Sequence, residues 1–577
     1  MRVLGISAFH RDAAAALVVD GKVVAAVQED RYTKRLQDES FPVRAIRACL
    51  TQGGIQARDL DRVVFYEKPL RKFERELASL ITSFPKSSKA FSTSMFLWLG
   101  DRLWLKHRIV EELELPNADK VCFTEHQLAH AASAFYSSPH EEAAILTVDD
   151  AGEWSTTSLC SGSGNELKML SEIKFPNSLG MLTSAFSQYL GFEPGTQDHL
   201  VENLASFGTP KHVDKINQLV QAGENGAYTI NQDLFRFRYD HKQLFSPALE
   251  ELLGTARTSG GALRFREDDT YDADLAASFQ QVIEERTLAL LERLHELVPS
   301  KALCFAGHLA QNRALCTRIL RDGPFEQLYV PPAPHDAGAA LGAALYVSHA
   351  VEGVETRDTL DHAFLGMKVE NRPEDGVIEL GGQEQTEAEM VTRLEAGERM
   401  GWIRGAHEFG AHSHGHRSIL ADPRDADSRK RLLGAVQQLE AYVPCGLAVP
   451  AECASEYFDL PQGGEYPLGF GQLAVQATDK LRQLAPSMVQ PDGSAWPLVI
   501  HKDRDPEFHS LLHAFAAKTG TPLLAHSAFA LRGSPIARIE SDAVAAFLRT
   551  DLDCLIVEDR MYHPLTTTGL PPRPTVS

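Results

Sequence analysis

Two segments of the chain repeat one pattern, and this repetition limits the possible folds more than any other feature. Residues 3–7 predict a strand, 10–12 a polar corner, and 13–31 a hairpin that turns at an Asp-Gly pair. Residues 143–148 predict a second apolar strand, which runs into an acidic turn at 149–153. Strand–glycine–helix units follow later in the chain. The repetition predicts a duplicated α/β domain with a central cleft.

An alanine-rich segment at 124–135 carries two histidines, His126 and His130. Its composition predicts a helix, and the four-residue spacing places both imidazoles on one face of that helix. Two imidazoles in this arrangement can bind one metal ion. The alternative is a pair of partly buried helix histidines without a metal. The spacing alone leaves both interpretations open.

Length, charge and cysteine content exclude several classes of protein. A chain of 577 residues is too long for one hydrophobic core, so two large domains, or three, are expected. The net charge of −21 argues against nonspecific binding to nucleic acid or to an acidic membrane. No apolar run is long enough for a transmembrane helix, and the first ten residues predict a strand rather than a signal peptide. The eight cysteines include no C-x-x-C pair, which favours a reduced, cytoplasmic protein without structural zinc.

Motifs spread along the whole chain resemble those of one protein family. In the first half they are 4–9, 41–42, the helix with the two histidines, 137–139, 149–154, 178–180 and 336–345. In the second half they are 408–410, 417–424 and 505–509. With these motifs in one order, the chain resembles the NodU/CmcH carbamoyltransferases, a family that includes O-carbamoyltransferases of antibiotic biosynthesis.

The resemblance implies two domains of different α/β architecture. Residues 1–360 would form an ASKHA-type (actin/Hsp70-like) duplicated α/β domain, followed by a linker at 361–384. Residues 385–565 would form a YrdC-like α/β domain, followed by a tail at 566–577. In the family, the YrdC-like domain converts carbamoyl phosphate and ATP to carbamoyl adenylate, and the first domain passes the carbamoyl group to an acceptor hydroxyl. Adenylation creates a good leaving group, and a metal ion can polarise the carbonyl.

The resemblance also assigns residues to the site. It implies an Fe(II) ion bound by His126, His130 and Asp336, and two histidines with one carboxylate suit that ion chemically. The expected catalytic residues form the polar corner, namely His10, Arg11 and Asp12. The expected cofactor-binding residues are Asp149, Gly152, Glu153, Gly307, Asn312, Arg417, Ser418 and Arg424.

The N-terminal half departs from the family pattern near the expected site. Arg11 occupies the place of a family histidine, and a guanidinium cannot act as a base at neutral pH. His10 could take over that role, although neighbouring side chains on a strand point to opposite faces. Leu200 replaces a lysine that would contact phosphate. His308 stands where relatives have only backbone, which disfavours close approach of a phosphate.

The YrdC-like half departs further, because cations that would bind phosphate are missing from it. The replaced positions are Ala406, His412, Gln437, Leu439, Val443 and Trp496, whereas Arg417 and Arg424 remain. A pocket for carbamoyl phosphate and ATP needs clustered cations that donate charge-assisted hydrogen bonds. We therefore predict a reduced or absent capacity to bind these two molecules and to make carbamoyl adenylate.

Four histidines lie together in the same half, at His407, His412, His414 and His416. They could form a second metal site, because alternate residues of a strand share one face. The interpretation that we prefer is a histidine-rich loop that fills the vacated phosphate pocket.

Two functional hypotheses follow from these observations. In the first, the protein is an enzyme of specialised (natural-product) biosynthesis that transfers a carbamoyl or related acyl group to a small-molecule acceptor at a metal-containing cleft. In the second, it is a repurposed or non-catalytic paralogue that acts as a partner or regulatory subunit of an intact carbamoyltransferase. The retained metal ligands favour the first hypothesis, and the altered phosphate pocket favours the second. A homodimer or a heteromer with a paralogue is expected.

Overall fold

The first half of the chain contains two five-stranded sheets built in the same way. The structure, a computed structural model, describes residues 1–261, 263, 269–369, 383–384, 386–436 and 442–563. The strands of the first sheet, in spatial order, are β3 (Lys22–Gln28), β2 (Ala14–Val19), β1 (Arg2–Ser7), β4 (Arg62–Phe65) and β5 (Val121–Phe123). Those of the second are β8 (Glu166–Lys174), β7 (Ser155–Ser163), β6 (Glu142–Val148), β11 (Ala302–Ala306) and β12 (Gln327–Tyr329). A separate hairpin pairs β9 (Val220–Ala222) with β10 (Tyr228–Ile230).

Strand directions repeat together with strand order. In each sheet the first three strands form an antiparallel meander, and the last two run parallel to the first strand of that meander. The first meander turns at Asp20 and Gly21, whose φ angles of 50° and 80° are those that a two-residue hairpin turn requires. The predicted duplicated α/β fold of ASKHA type is confirmed.

The α-helices of this half, in chain order, are α1 (Asp30–Thr33), α2 (Val43–Gln52), α3 (Pro69–Thr82), α4 (Ser88–Gly100), α5 (Leu105–Glu112), α6 (His126–Phe135), α7 (Leu179–Tyr189), α8 (His199–Ala205), α9 (Val213–Ile216), α10 (Pro247–Leu253), α11 (Tyr271–Leu297), α12 (Arg313–Asp322) and α13 (Asp336–Tyr346).

Two of these helices, α6 and α13, pack closely against each other at the centre of this half. A Cβ atom at Gly342 of α13 would lie 1.8 Å from the carbonyl oxygen of Ala129 in α6. Only a glycine allows this approach, which fixes the α6 histidines relative to Asp336 at the start of α13.

The second half is a mixed α/β domain with one ten-stranded sheet. Its strands, in spatial order, are β13 (Gln383–Glu384), β22 (Arg560–Tyr562), β21 (Cys554–Val557), β14 (Met400–Ile403), β15 (Arg417–Ala421), β20 (Leu524–Ala528), β16 (Gly446–Pro450), β19 (Ser494–Ile500), β18 (Val475–Ala477) and β17 (Phe458–Asp459). Its helices are α14 (Glu387–Glu395), α15 (Ser428–Val436), α16 (Ala454–Tyr457), α17 (Glu465–Gly469), α18 (Asp479–Leu484), α19 (Pro506–Thr519) and α20 (Glu540–Phe547). The α/β class is as predicted, and the domain limits at 360 and 385 stay predictions. Of the predicted linker 361–384, residues 370–382 lie outside the described residues, as does the whole tail 566–577. Across the described ranges, no helix has the length and apolarity needed to span a bilayer.

Backbone and side-chain hydrogen bonds join the two halves. The Arg31 guanidinium donates to the Gly410 carbonyl at 2.7 Å, and the Gly410 N–H donates to Gln28 Oε1 at 3.0 Å. Arg313 Nε donates to the Gly471 carbonyl at 2.6 Å. These contacts hold the second half over the cleft of the first, so residues of both halves enclose one cavity of about 370 Å³. We call it the interdomain cavity.

Candidate metal centre and adjoining cavities

Four buried side chains converge where α6, α13 and the end of β6 meet. Nε2 of His126 lies 2.5 Å from Asp149 Oδ2, and Nε2 of His130 lies 3.1 Å from the same oxygen. Asp336 Oδ1 lies 3.7 Å and 3.5 Å from these two nitrogens. All four potential ligand atoms lie within 4.8 Å of one another. The structure therefore brings the three predicted metal ligands together and adds Asp149 to them.

The acidic turn after β6 positions the first histidine. Both carboxylate oxygens of Glu153 accept the backbone N–H of His126, at 3.3 Å and 3.2 Å, and satisfy a donor at the start of α6. A Cβ atom at Gly152 would lie 2.6 Å from His126 Cβ, so the turn lies directly against this side chain. Gly152 and Glu153, predicted as cofactor-binding residues, lie where they orient His126, a candidate metal ligand.

The electrostatics of the four residues fit a divalent metal ion. Nδ1 of both histidines and Oδ1 of Asp336 are buried without a hydrogen-bond partner. Burial lowers the pKa of His130, but the Asp149 and Asp336 carboxylates outweigh it and raise this pKa to about 10. Burial raises the pKa of Asp149, and the two histidines outweigh it and hold this pKa well below its ordinary value. Two imidazoles facing two carboxylates form a donor set that suits Fe(II) among other divalent ions.

His10 contacts the second oxygen of Asp336. Its Nδ1 lies 2.5 Å from Asp336 Oδ2, whereas Oδ1 of the same carboxylate faces the α6 histidines. The strand argument against His10 is wrong, because β1 ends at Ser7 and the following turn has positive φ angles at Phe9 and Asp12 (67° and 55°). In that turn His10 and its neighbour face the same cleft.

Arg11 and Asp12 have different environments in this turn. Nη1 of Arg11 lies 3.1 Å from Asp150 Oδ2, which is also 4.0 Å from His10 Nε2. Asp12 instead lies beside His335, with Oδ2 at 2.9 Å from its Nε2, and accepts a long hydrogen bond from Gln28. Arg11 therefore pairs with one carboxylate of the cleft wall, that of Asp150. Asp12 packs behind the residue that precedes Asp336.

Another predicted segment, 307–312, closes the opposite side of the cleft. Gly307 has a φ of 95°, and a Cβ atom there would lie 2.3 Å from the Val148 carbonyl. This contact brings the His308 N–H within 2.9 Å of Asp149 Oδ1, while its ring Nε2 lies 3.0 Å from Asp198 Oδ2. Asn312 caps α12 by accepting the Leu315 N–H at 2.8 Å. The sequence did not reveal that His308 contacts the carboxylates of Asp149 and Asp198. It did single out Asp149, because an apolar strand ends in this acid.

The three predicted residues of the second half do not line the interdomain cavity. The Arg417 guanidinium donates to backbone carbonyls, including those of Gly405 and Arg538 at 3.1 Å. Arg424 grips Asp422 with contacts of 2.6–3.1 Å. Ser418 Oγ bonds to His526 Nε2 at 2.9 Å. Both retained arginines thus have protein partners in place of a phosphate.

The four clustered histidines do not converge on one point. Nε2 of His414 lies 3.1 Å from the Phe470 carbonyl, and Nδ1 of His416 lies 2.7 Å from that of Ala406. His407 is buried, and His412 lines the interdomain cavity. Within the described part of the chain they form no group with metal-ligating spacing. Of the replaced cation positions, Gln437 and Leu439 lie outside the described residues.

The interdomain cavity has an acidic wall. Its carboxylates are those of Asp12, Asp30, Asp149, Asp150, Asp198, Glu202 and Asp336. Its arginines are Arg11, Arg31 and Arg313. The first two pair with Asp150 and Asp30, and the third stacks on Trp496 with its guanidinium carbon 4.0 Å from the ring centre. Such a wall disfavours a triphosphate, whose charge is also negative.

A second cavity of about 360 Å³ adjoins the first. It shares His10, Arg11 and Asp150 with the interdomain cavity and is otherwise lined by α3, α7, Arg102 and loops of the first half. We call it the arginine cavity. The two cavities therefore meet at His10, Arg11 and Asp150.

Known proteins match nearly the whole length of this chain. A model described as the N-terminus of carbamoyltransferases matches residues 2–345, and one described as their C-terminus matches residues 391–563. An uncharacterized protein of Synechocystis sp., sll1178, is 35% identical over 96% of both chains. Nodulation protein NolNO of Sinorhizobium fredii is 32% identical over 97% of this chain and 80% of its own length. Nodulation protein U of Rhizobium tropici is 24% identical over 92% of this chain and 91% of its own. The chain belongs to the carbamoyltransferase family.

Proposed function

We propose that the protein transfers a carbamoyl or related acyl group from an activated donor to the hydroxyl of a small-molecule acceptor, in specialised cytoplasmic metabolism. The observation that carries this proposal is the divided role of Asp336. One of its oxygens faces the α6 histidines, and the other bonds His10 at the meeting point of the two cavities. A metal site and a proton acceptor thereby share one carboxylate.

The side chains of the cleft divide the reaction between them. His126, His130, Asp149 and Asp336 would hold Fe(II), which when bound polarises the carbamoyl carbonyl as a Lewis acid. With Nδ1 held by Asp336, His10 presents Nε2 to the cleft as the atom that accepts the acceptor's proton. The acceptor oxygen then forms a bond to the carbamoyl carbon, and the bond from that carbon to the leaving-group oxygen breaks. The leaving group departs with the electron pair as an anion.

The donor is proposed to arrive already activated. Arg417 and Arg424 are engaged by carbonyls and by Asp422, and the interdomain cavity carries more carboxylates than guanidiniums. ATP and carbamoyl phosphate together need a surplus of cations. Calorimetric titration should therefore show no micromolar binding of either molecule. Clear micromolar binding of both would show that the second half still makes its own activated donor.

Metal analysis tests the centre itself. Protein purified without oxygen should contain about one iron per chain, and a His126→Ala/His130→Ala double variant should contain almost none. The matched control is His509→Ala/His513→Ala, because these two histidines face only one carboxylate of the described residues, Glu452, at 2.8 Å and 2.6 Å, in a group that is partly exposed. The control should keep its iron. Equal iron in the wild type and the His126/His130 variant would remove the metal site from the proposal.

A second candidate function is that of a partner subunit for an intact carbamoyltransferase, as a heteromer. It is favoured by the engagement of Arg417 and Arg424 away from the cavity. Mixing with an intact family member, and measuring carbamoyl transfer by that member, separates the two functions. A partner subunit would stimulate transfer equally well with His126 and His130 intact or replaced by alanine. Stimulation that requires both histidines, or no stimulation, favours the enzyme.

A further inference from the structure

The wall of the arginine cavity carries more cations than carboxylates. Three of its guanidiniums, those of Arg75, Arg102 and Arg238, have no carboxylate within 4.0 Å anywhere in the described ranges. The other cations of the wall are paired, Arg11 with Asp150 at 3.1 Å and Lys72 with Glu67 at 2.7 Å. The carboxylates of this wall are those of Glu39, Glu76 and Asp150, so its five arginine and lysine side chains outnumber them, whereas carboxylates dominate in the interdomain cavity.

Aromatic rings lie against two of these guanidiniums, those of Arg75 and Arg102. Arg75 is buried, lies 4.9 Å above the Phe175 ring and has no hydrogen-bond partner at Nε. The Arg102 guanidinium carbon lies over the rings of both Phe9 and Trp98, 5.7 Å and 5.5 Å from their centres. Burial lowers the pKa of Arg75, and nearby glutamates only partly offset this. Because a desolvated cation without a counter-ion costs free energy, an anionic ligand that pairs with it stabilises the site.

The third arginine and the remaining wall complete a pocket with a charged part and an apolar part. The backbone carbonyl of Arg238 accepts a hydrogen bond from Ser79 of α3 at 2.8 Å, which ties its loop to the helix of Arg75. Phe175, Phe237 and Met181 supply apolar surface beside the guanidiniums. Planar guanidiniums match the geometry of carboxylates and phosphates.

We infer that the acceptor enters through the arginine cavity and carries an anionic group, a carboxylate, phosphate or sulfate, which Arg75, Arg102 and Arg238 bind. This inference rests on the proposed function. The anionic group would anchor an apolar body along the aromatic wall. Its hydroxyl would then reach His10, where the two cavities meet. The same chemistry could serve the phosphate of the donor, and the experiment separates these two sources.

Paired probes test the inference by calorimetry. 4-(Hydroxymethyl)benzoate has a hydroxyl, an apolar ring and a carboxylate, and 4-methylbenzyl alcohol lacks only the charge. We expect the charged probe to bind at least about tenfold more tightly, as a charge-assisted hydrogen bond to a partly buried guanidinium implies. The double variant Arg102→Gln/Arg238→Gln should abolish that preference and still fold, because both side chains are only partly buried.

Controls and contrary results are equally specific. Arg71→Gln is the matched control. Arg71 is an exposed arginine of α3, the helix that also carries Arg75, and its Nη1 lies 3.7 Å from Glu125 Oε1. This control should keep the preference. Equal affinity for both probes, or a preference that survives in the double variant, overturns the inference. So does a result in which the double variant loses binding of carbamoyl phosphate or inorganic phosphate but the benzoate probe never binds, because the guanidiniums then serve the donor. None of these measurements depends on the iron content of the protein. The inference can therefore fail while the proposed metal centre, which metal analysis tests, is retained.

Discussion

The substitution Gly152→Ala offers a sharp test of how the acidic turn positions the metal centre. The added methyl group would lie 2.6 Å from His126 Cβ and 2.9 Å from its Cγ. Carbon atoms in ordinary contact are separated by about 3.4 Å or more, so the His126 side chain must move by about 0.8 Å at Cβ and by about 0.5 Å at Cγ of the imidazole. This displacement is a substantial fraction of the 2.5 Å distance between His126 Nε2 and Asp149 Oδ2. Gly152→Ala therefore displaces His126 without replacing any of the four candidate ligand side chains.

The expected result is weaker metal binding in a folded protein. Misplacing a ligand, like removing the group that orients it, costs about 10- to 100-fold in metal affinity. Overpacking a tight site should lower the free energy of unfolding by about 1–3 kcal/mol. Cobalt(II) titration of apoprotein, followed by the visible absorption of the bound ion, measures the affinity, and urea unfolding measures the stability.

The control for this experiment is Gly100→Ala. A Cβ atom there would have nothing within 4 Å, at the end of α4, so cobalt affinity should not change and stability should stay equal or rise slightly. Wild-type cobalt affinity in a folded Gly152→Ala variant would refute the positioning role of the turn.

Two further predictions concern buried charges. Burial raises the pKa of Glu408, but nearby cations and backbone N–H groups, including that of His414 at 2.9 Å, lower it further, to about 2. This shift from the ordinary value of 4.5 contributes about 3 kcal/mol of stability above pH 4.5, and that contribution is lost as the pH falls toward 2. The free energy of unfolding measured in urea should therefore depend on pH in this window, and the Glu408→Gln variant should lack this dependence. Arg31→Met should lower the free energy of unfolding at pH 7 by about 3–5 kcal/mol, because it leaves the Asp30 carboxylate buried without its ion-pair partner. The control Arg47→Met, on the exposed face of α2, should change the free energy of unfolding by less than about 0.5 kcal/mol. An Arg31 variant as stable as the Arg47 control would show that the buried pair contributes little.

Local patterns predicted much of the fold. The Asp-Gly turn at residues 20–21, the helix of His126 and the small-residue helix that begins at Asp336 are all confirmed. Each depends on the conformational preferences of a few adjacent residues, which a sequence shows directly. The family resemblance then supplied Asp336 as a partner for the histidines.

The environment of each charged side chain could not be read in this way. Arg417 was predicted to bind a phosphate-containing cofactor, yet its guanidinium donates to carbonyls as far away in sequence as that of Arg538. The strand argument against His10 failed because the turn after β1 adopts positive φ angles at residues without a glycine to signal them. Such details depend on contacts between distant segments and on backbone strain that those contacts stabilise.

By itself, the sequence determined the α/β class, the duplicated sheets, the two-histidine helix and the family, because these depend on periodicity, spacing and motif order. Only the tertiary structure decided that Asp149 joins the candidate metal ligands, that Asp336 contacts His10, and that Arg75 and Arg102 face a cavity with no carboxylate within 4.0 Å among the described residues. The physical reason is distance along the chain. These groups come from segments that meet only after two sheets and two closely packed helices have formed, and their charges interact strongly only once burial removes the water between them.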